Sequence, residues 1–169
     1  MLILSLASVA RDPVGLQGRI AADDPMWDEV GLALEEPLRV DLEARMVGDG
    51  VLVRGEMETR LAADCRRCLT PAPVSIRETV HLLYEPLSGD EEAELSGEVY
   101  PLPERGDELD VTEALREQLV LLAPNFVVCS ETCRGLCPQC GEELNRTTCD
   151  CVPDEGPGPW DALKNIKFD

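Results

Sequence analysis

Eight cysteines constrain this chain of 169 residues more than any other feature, because their spacing is that of metal ligands. They run Cys65-x2-Cys68, then, sixty residues on, Cys129-x3-Cys133-x3-Cys137-x2-Cys140-x8-Cys149-x-Cys151. Each Cys-x-x-Cys pair carries a turn that aims both sulfurs at one point, and Gly135, Pro138 and Gly141 supply the tight backbone such a knuckle needs. Eight thiolates make two tetrahedral sets of four. The favoured partition puts Cys65, Cys68, Cys129 and Cys133 in one set and Cys137, Cys140, Cys149 and Cys151 in the other. The second set closes over an eight-residue loop without help from distant sequence. A Cys-x-Cys pair fits a tetrahedron less comfortably than Cys-x-x-Cys, so a second partition stays open, in which Cys149 or Cys151 is spared and Cys133 replaces it. One or two zinc ions are expected, with two favoured. Disulfides or redox cycling are the competing reading of the same thiols.

The length suits one ordinary domain, or one domain with a small appended module, and 44% hydrophobic residues suffice for a core. No stretch approaches the eighteen or so apolar residues of a membrane helix, so no membrane association is expected. The apolar N-terminus ends in Ser8-Val9-Ala10, which resembles a signal-peptide cleavage site, but it is short and no Lys or Arg precedes it. A cytoplasmic location is therefore expected, where thiols stay reduced and clustered cysteines usually hold metal.

A formal charge of −19 constrains partners. Filling a four-cysteine site replaces four neutral thiols by four thiolates and one dication, so each filled site adds two negative charges. Most of such a surface repels a phosphate backbone, whose non-specific affinity comes from cationic side chains releasing counterions. A basic protein is the easier partner.

Apolar alternation at Leu2, Leu4 and Leu6 predicts a strand over Met1–Val9. Arg11 to Pro25 reads as a loop rich in Asp, Pro and Gly, followed by an unpatterned acidic stretch to Pro37. Leu38–Val47 and Val51–Ala63 alternate on either side of Gly48-Asp49-Gly50, which predicts a hairpin leading to Cys65. Val74–Tyr84 reads as the next strand, so the first Cys-x-x-Cys sits in a turn between strands. Residues 85–110 carry ten acidic residues and one basic one, Arg105, and read as an acidic loop with a short strand at Val99-Tyr100. A helix over 110–122 begins at an Asp110 cap and shows Val111, Leu115, Leu119 and Leu122 along one face. A short amphipathic helix is expected over Pro159–Phe168. The fold class is α+β: a mostly antiparallel β-sheet or partial barrel, one packed helix and a C-terminal zinc-knuckle segment. Residues 1–128 form the β-rich domain and residues 129–169 the cysteine-rich module.

Catalysis finds little support. The one histidine, His81, lies in a strand pattern, and no phosphate-binding loop, nucleophile elbow or dinucleotide fingerprint is present. A zinc ion enclosed by four thiolates keeps no open position for water. No enzymatic activity is expected. Arg66, Arg67, Arg134 and Arg146 flank the thiols; they are expected to offset thiolate charge by hydrogen bonding toward sulfur, or to form a cationic spot able to touch nucleic-acid phosphates.

The runs Cys65-Arg66-Arg67-Cys68-Leu69 and Cys133-Arg134-Gly135-Leu136-Cys137-Pro138-x-Cys140-Gly141-x2-Leu144-Asn145, with Cys149-x-Cys151 and a C-terminal Trp160-x2-Leu163-x2-Ile166, resemble the bacterial YceD family. The resemblance implies a non-enzymatic factor needed for normal accumulation of 23S rRNA. Combined with the charge, it suggests a factor that assists large-subunit assembly by holding a basic protein such as a large-subunit ribosomal protein or an assembly factor, with its arginine-flanked end near rRNA. Two other classes compete. A redox sensor or thiol oxidoreductase would need a low-pKa, exposed cysteine, and a zinc-ribbon nucleic-acid module would need a basic face.

Overall fold

Alternation of buried and exposed side chains builds the centre of the molecule. In the computed structural model, which describes residues 1–86, 99–103 and 106–152, strand β3 (Leu34–Val47) buries Leu38, Val40, Leu42 and Ala44 and exposes Arg39, Asp41, Glu43 and Arg45. Strand β4 (Gly50–Leu61) returns antiparallel through a two-residue turn at Gly48-Asp49, with Val47 opposite Gly50. Its buried face continues the same layer through Val51, Val53, Met57 and Leu61. Thr59 is the one polar side chain buried there, and its hydroxyl donates to the Glu36 carbonyl at 2.8 Å. Strand β5 (Val74–Glu85) pairs with β4 along its whole length.

Two short elements complete this sheet. Strand β2 (Val14–Ile20) adds to β3 antiparallel, and β6 (Val99–Pro101) adds to β5 in parallel, giving the order β2-β3-β4-β5-β6. Strand β1 (Ile3–Ser5) forms a separate two-stranded sheet with β7 (Glu108–Asp110). Helix α1 (Leu6–Val9), helix α2 (Met26–Glu29) and helix α3 (Thr112–Leu122) are the helical elements of the described residues. The fold is therefore α+β, predominantly antiparallel, with sheets that do not close into a barrel.

Helix α3 covers the apolar layer with Ala114, Leu115 and Leu119, and Val111 is buried just ahead of it. Burying each such leucine contributes roughly 1.5–3 kcal/mol. The start of α3 is tied to the first strand: the Val111 N–H donates to the Leu2 carbonyl at 3.0 Å, and the Leu2 N–H donates to Thr112 Oγ1 at 2.8 Å. Asp110 Oδ1 accepts from the Thr112 N–H at 2.9 Å, so this carboxylate serves the helix start one position before the capping residue, Val111. The outward face of the main sheet carries ion pairs such as Arg54–Glu43 and Arg77–Glu56, half-exposed and each contributing at most about 1 kcal/mol.

Several expectations need correction. The strand expected over Met1–Val9 ends at Ser5, whose side chain accepts from the Ser8 N–H and turns the chain into α1. The segment expected to be a loop from Arg11 to Pro25 contains β2. The unpatterned stretch before Pro37 contains α2, whose Trp27 is buried with its indole N–H donating to the Ala21 carbonyl at 2.8 Å. Leu122, expected on the packed face of the helix, is 37% exposed. Of the acidic segment 85–110, strands β6 and β7 are described; the helix expected over Pro159–Phe168 lies outside the described residues. No helix among the described residues is long and apolar enough to cross a membrane.

Candidate metal centres

Beyond the end of β4 the backbone makes a turn at Cys65 that recurs, bond for bond, at Cys137. In the first turn the Cys65 N–H donates to the Thr70 carbonyl at 2.8 Å and the Leu69 N–H donates to the Cys65 carbonyl at 2.8 Å. In the second the Cys137 N–H donates to Glu142 at 2.8 Å and the Gly141 N–H donates to Cys137 at 2.9 Å. A single antiparallel bridge closes each, Asp64 with Pro71 and Leu136 with Glu143. The residue after the second cysteine takes a left-handed conformation in both, Leu69 at φ 59° and Gly141 at φ 77°. Such a turn projects the two sulfurs of Cys-x-x-Cys to one side.

The chain leaving α3 completes the first cluster. The Arg66 N–H donates to the Val127 carbonyl at 2.8 Å, which sets residues 127–129 beside the first turn. Cys65 Sγ then lies 3.7 Å from Cys133 Sγ and Cys68 Sγ lies 3.6 Å from Cys129 Sγ. All four sulfurs of Cys65, Cys68, Cys129 and Cys133 fall within 4.8 Å of one another, and so do those of Cys137, Cys140, Cys149 and Cys151. Of the partitions left open by spacing, the geometry is that of the favoured one.

The donor sets fit a tetrahedral divalent ion. Zinc–sulfur bonds of about 2.3 Å place neighbouring sulfurs of a tetrahedron roughly 3.8 Å apart, whereas a disulfide draws them to about 2.05 Å. All eight cysteines are free, and the Cys65–Cys133 and Cys68–Cys129 contacts lie near the first value. The clusters differ in burial. Cys65, Cys68 and Cys133 are buried together against Ala72 and Val128, whereas in the second cluster only Cys137 is buried and Cys140 is exposed.

Hydrogen bonding polarises the sulfurs unequally. Burial pushes the Cys65 thiol up, but N–H groups of Cys129, Cys68 and Arg67 outweigh it and lower its pKa to about 6. The N–H groups of Cys140 and Gln139 bring Cys137 to about 6 as well. Cys129, hydrogen-bonded to Cys133 and Cys68, is pushed up to about 12, and Cys151, hydrogen-bonded to Cys140 and Cys137, also to about 12. Within each set, then, one sulfur readily becomes a thiolate while another holds its proton. Four sulfurs this close cannot all ionise unless a cation stands among them.

The surrounding groups differ from expectation in one respect. Among the described residues none of the four flanking guanidinium groups reaches a sulfur. Arg67 Nη1 donates to the carbonyls of Cys133 at 3.1 Å and Glu131 at 3.3 Å, and Arg146 pairs with Glu143. The sulfurs are served instead by the Arg67 N–H to Cys65 at 3.4 Å, by Thr70 Oγ1 beside Cys68 at 3.1 Å, and by Asn145 Nδ2, which donates to Cys133 at 3.3 Å. Backbone amides of the turn lie nearer than a long side chain can fold back to reach. Asn145 enters the sequence reading only as part of the family-like run Cys140-Gly141-x2-Leu144-Asn145, with no role of its own attached. His81 is exposed on the outward face of β5, opposite Arg54 and far in topology from either cluster.

Comparison with known proteins adds a second line. An uncharacterized protein of Mycobacterium tuberculosis is 30% identical over 116 residues, covering 67% of this chain and 55% of the relative. A Zea mays protein named large ribosomal RNA subunit accumulation protein YCED homolog 1, chloroplastic, is 25% identical over 154 residues, 75% of this chain and 52% of the relative. The chain spans about half the length of these curated relatives. No solved structure matches. The family model described as "Large ribosomal RNA subunit accumulation protein YceD" matches residues 53–167, from near the start of β4 through both cysteine clusters. On that match, which takes in every cysteine described above, the chain belongs to the YceD family.

Proposed function

We propose that this protein supports accumulation of large-subunit ribosomal RNA as a non-enzymatic cytoplasmic factor. Its acidic body engages a basic protein, a large-subunit ribosomal protein or an assembly factor, while an end braced by two zinc ions approaches rRNA. The observation that carries this reading is the closure of both clusters. Each gathers four protein sulfurs around one point, a donor set that fills a tetrahedron and leaves no position for water or substrate. An ion so enclosed supplies a crosslink between distant segments. The names of the plant relatives point to the rRNA process.

Charge supports the partner class. At −19 before any site is filled, the surface favours a cationic protein over a polyanion. Arg66 and Arg134 are exposed and, among the described residues, have no ionic partner, so their guanidinium groups are the ones available beside the knuckles for a contact with phosphate. A freely reacting thiol is less well supported, because Cys65, whose pKa is lowered to about 6, is fully buried.

The test is capture of partners from cell extract on the zinc-loaded protein at low and high salt. Recovery of a basic large-subunit ribosomal protein or assembly factor, lost as salt rises, is the expected result, with reduced 23S rRNA in cells lacking the protein. Tight binding to naked 23S rRNA without any protein partner overturns the proposal. Alkylation gives a separate check: the native protein labels slowly until a chelator is added, and immediate labelling would favour a redox role.

A further inference from the structure

We propose that Asn145 couples the two four-sulfur clusters, so that an ion held in the second cluster raises the affinity of the first; this rests on reading both clusters as zinc sites. Asn145 belongs in sequence to the second cluster, inside the segment that joins its ligands Cys140 and Cys149. Its amide, however, serves the first. Nδ2 donates to Cys133 Sγ at 3.3 Å, and Oδ1 accepts from the Arg134 N–H at 2.8 Å, so both ends of the amide are engaged and its orientation is fixed.

The backbone around it joins the same two units. The Leu136 N–H donates to the Arg67 carbonyl at 3.0 Å, and the Leu144 N–H donates to the Gly135 carbonyl at 2.9 Å. Gly135, at φ 76°, lies so close that a Cβ there would stand 2.9 Å from the Arg67 carbonyl oxygen. Arg67 in turn holds the carbonyls of Glu131 and Cys133 through its guanidinium. One turn, from Glu143 to Thr147, positions Asn145 through the Arg146 and Thr147 N–H bonds to the Glu143 carbonyl. That turn is anchored at either end by Cys140 and Cys149, so closing the second cluster fixes where the Asn145 amide points.

A donor fixed in advance costs less ordering when the first cluster closes. Linkage makes the effect mutual: whatever factor the second ion adds to the first site's affinity, the first adds to the second's. The difference in exposure gives the coupling a direction in practice. Cys140 is exposed and Cys149 and Cys151 are half-buried, so the second cluster is the one a chelator or oxidant meets first, and its loss loosens the buried first cluster.

The experiment is chelator competition on the full chain loaded with cadmium-113, whose resonances report each cluster separately; the double substitution Cys149→Ser, Cys151→Ser identifies the second-cluster signal by removing it. Wild type should show two signals. Asn145→Ala, which deletes no ligand, should weaken the first cluster about ten- to a hundredfold, with the second-cluster resonance retained as a sign of folding. In the Cys149→Ser, Cys151→Ser background the first cluster should already be weakened, and adding Asn145→Ala should then change it by less than about threefold. An equal loss from Asn145→Ala in both backgrounds, or none in either, overturns the coupling while leaving the metal reading intact. Failure of wild type to bind any metal overturns the metal reading and the coupling with it.

Discussion

Leu69 and Gly141 hold equivalent left-handed positions in the two knuckles, but only glycine adopts that conformation without steric cost. A Cβ in the left-handed region costs about 1–2 kcal/mol, and Leu69 recovers little of it, since its side chain is 64% exposed. Leu69→Gly should therefore raise the stability of the metal-loaded protein, by about 1 kcal/mol at most once the freedom of glycine in the unfolded chain is counted. Gly141→Ala should lower it by about 1 kcal/mol. Urea midpoints of the two variants check the pair, and a destabilised Leu69→Gly would show that the leucine side chain has a contact that outweighs its strain. At this scale the sequence was most legible where chemistry is local: the spacing of Cys65 with Cys68 and of Cys137 with Cys140 already contains the turn. The union of Cys129 and Cys133 with Cys65 depends on the exit of α3 and the Arg66–Val127 hydrogen bond, which spacing alone does not encode. Arginine beside cysteine in sequence likewise says that cations are near, but the direction of each guanidinium is a tertiary property.

At the scale of elements, β3, β4 and β5 were legible because each alternates over a long stretch and buries one face. Strand β2 was not, although Val14, Leu16 and Ile20 alternate, because Gly15 and Gly18 among Asp and Pro look like a loop. Gly18 is there for packing: a Cβ on it would come within 2.3 Å of Leu2 Cδ2. A Cβ there would push the end of that leucine aside, a contact between residues that are distant in sequence order. Leu2, just ahead of the first strand, is held to the start of α3 by the Val111 amide and by one hydroxyl. Thr112→Val keeps the shape but removes the acceptor of the Leu2 N–H, a group on a residue only 6% exposed. Leaving that donor unsatisfied should cost about 1–3 kcal/mol, read as a lower urea midpoint, whereas Thr112→Ser should remain near wild type. Equal stability of the valine variant would mean that water satisfies the Leu2 amide and that this tie contributes nothing.

Across the whole molecule two kinds of cohesion meet at the end of α3. The apolar layer of β3, β4, β5 and α3 is one continuous core, whereas the buried set around Cys65, Cys68 and Cys133 is separate and, among the described residues, has Ala72 and Val128 as the partly buried apolar side chains packed against it. Among the described residues none from Ala123 to Val152 lies in a helix or strand. That segment has too little apolar surface of its own to offset the entropy of ordering it, so its conformation rests on the sulfurs and on whatever ion they hold. Chelation should then act on one end of the molecule only. Hydrogen exchange after zinc removal should show amides of residues 129–149 losing protection while those of β3, β4 and β5 keep theirs. Acid should do the same, and the direction follows from the thiols. Cys65 and Cys137, near 6, are already ionised at neutral pH, but Cys129 and Cys151, near 12, must give up protons to bind a cation. Affinity for metal therefore rises with pH and is lost as pH falls through 6, with at least one proton released per ion bound at pH 7. Calorimetry in buffers of different ionisation enthalpy measures that release. If chelation instead unfolded the sheet together with the knuckles, the two ends would be a single cooperative unit, and the ions would be holding the β-rich body as well as the cysteine-rich segment.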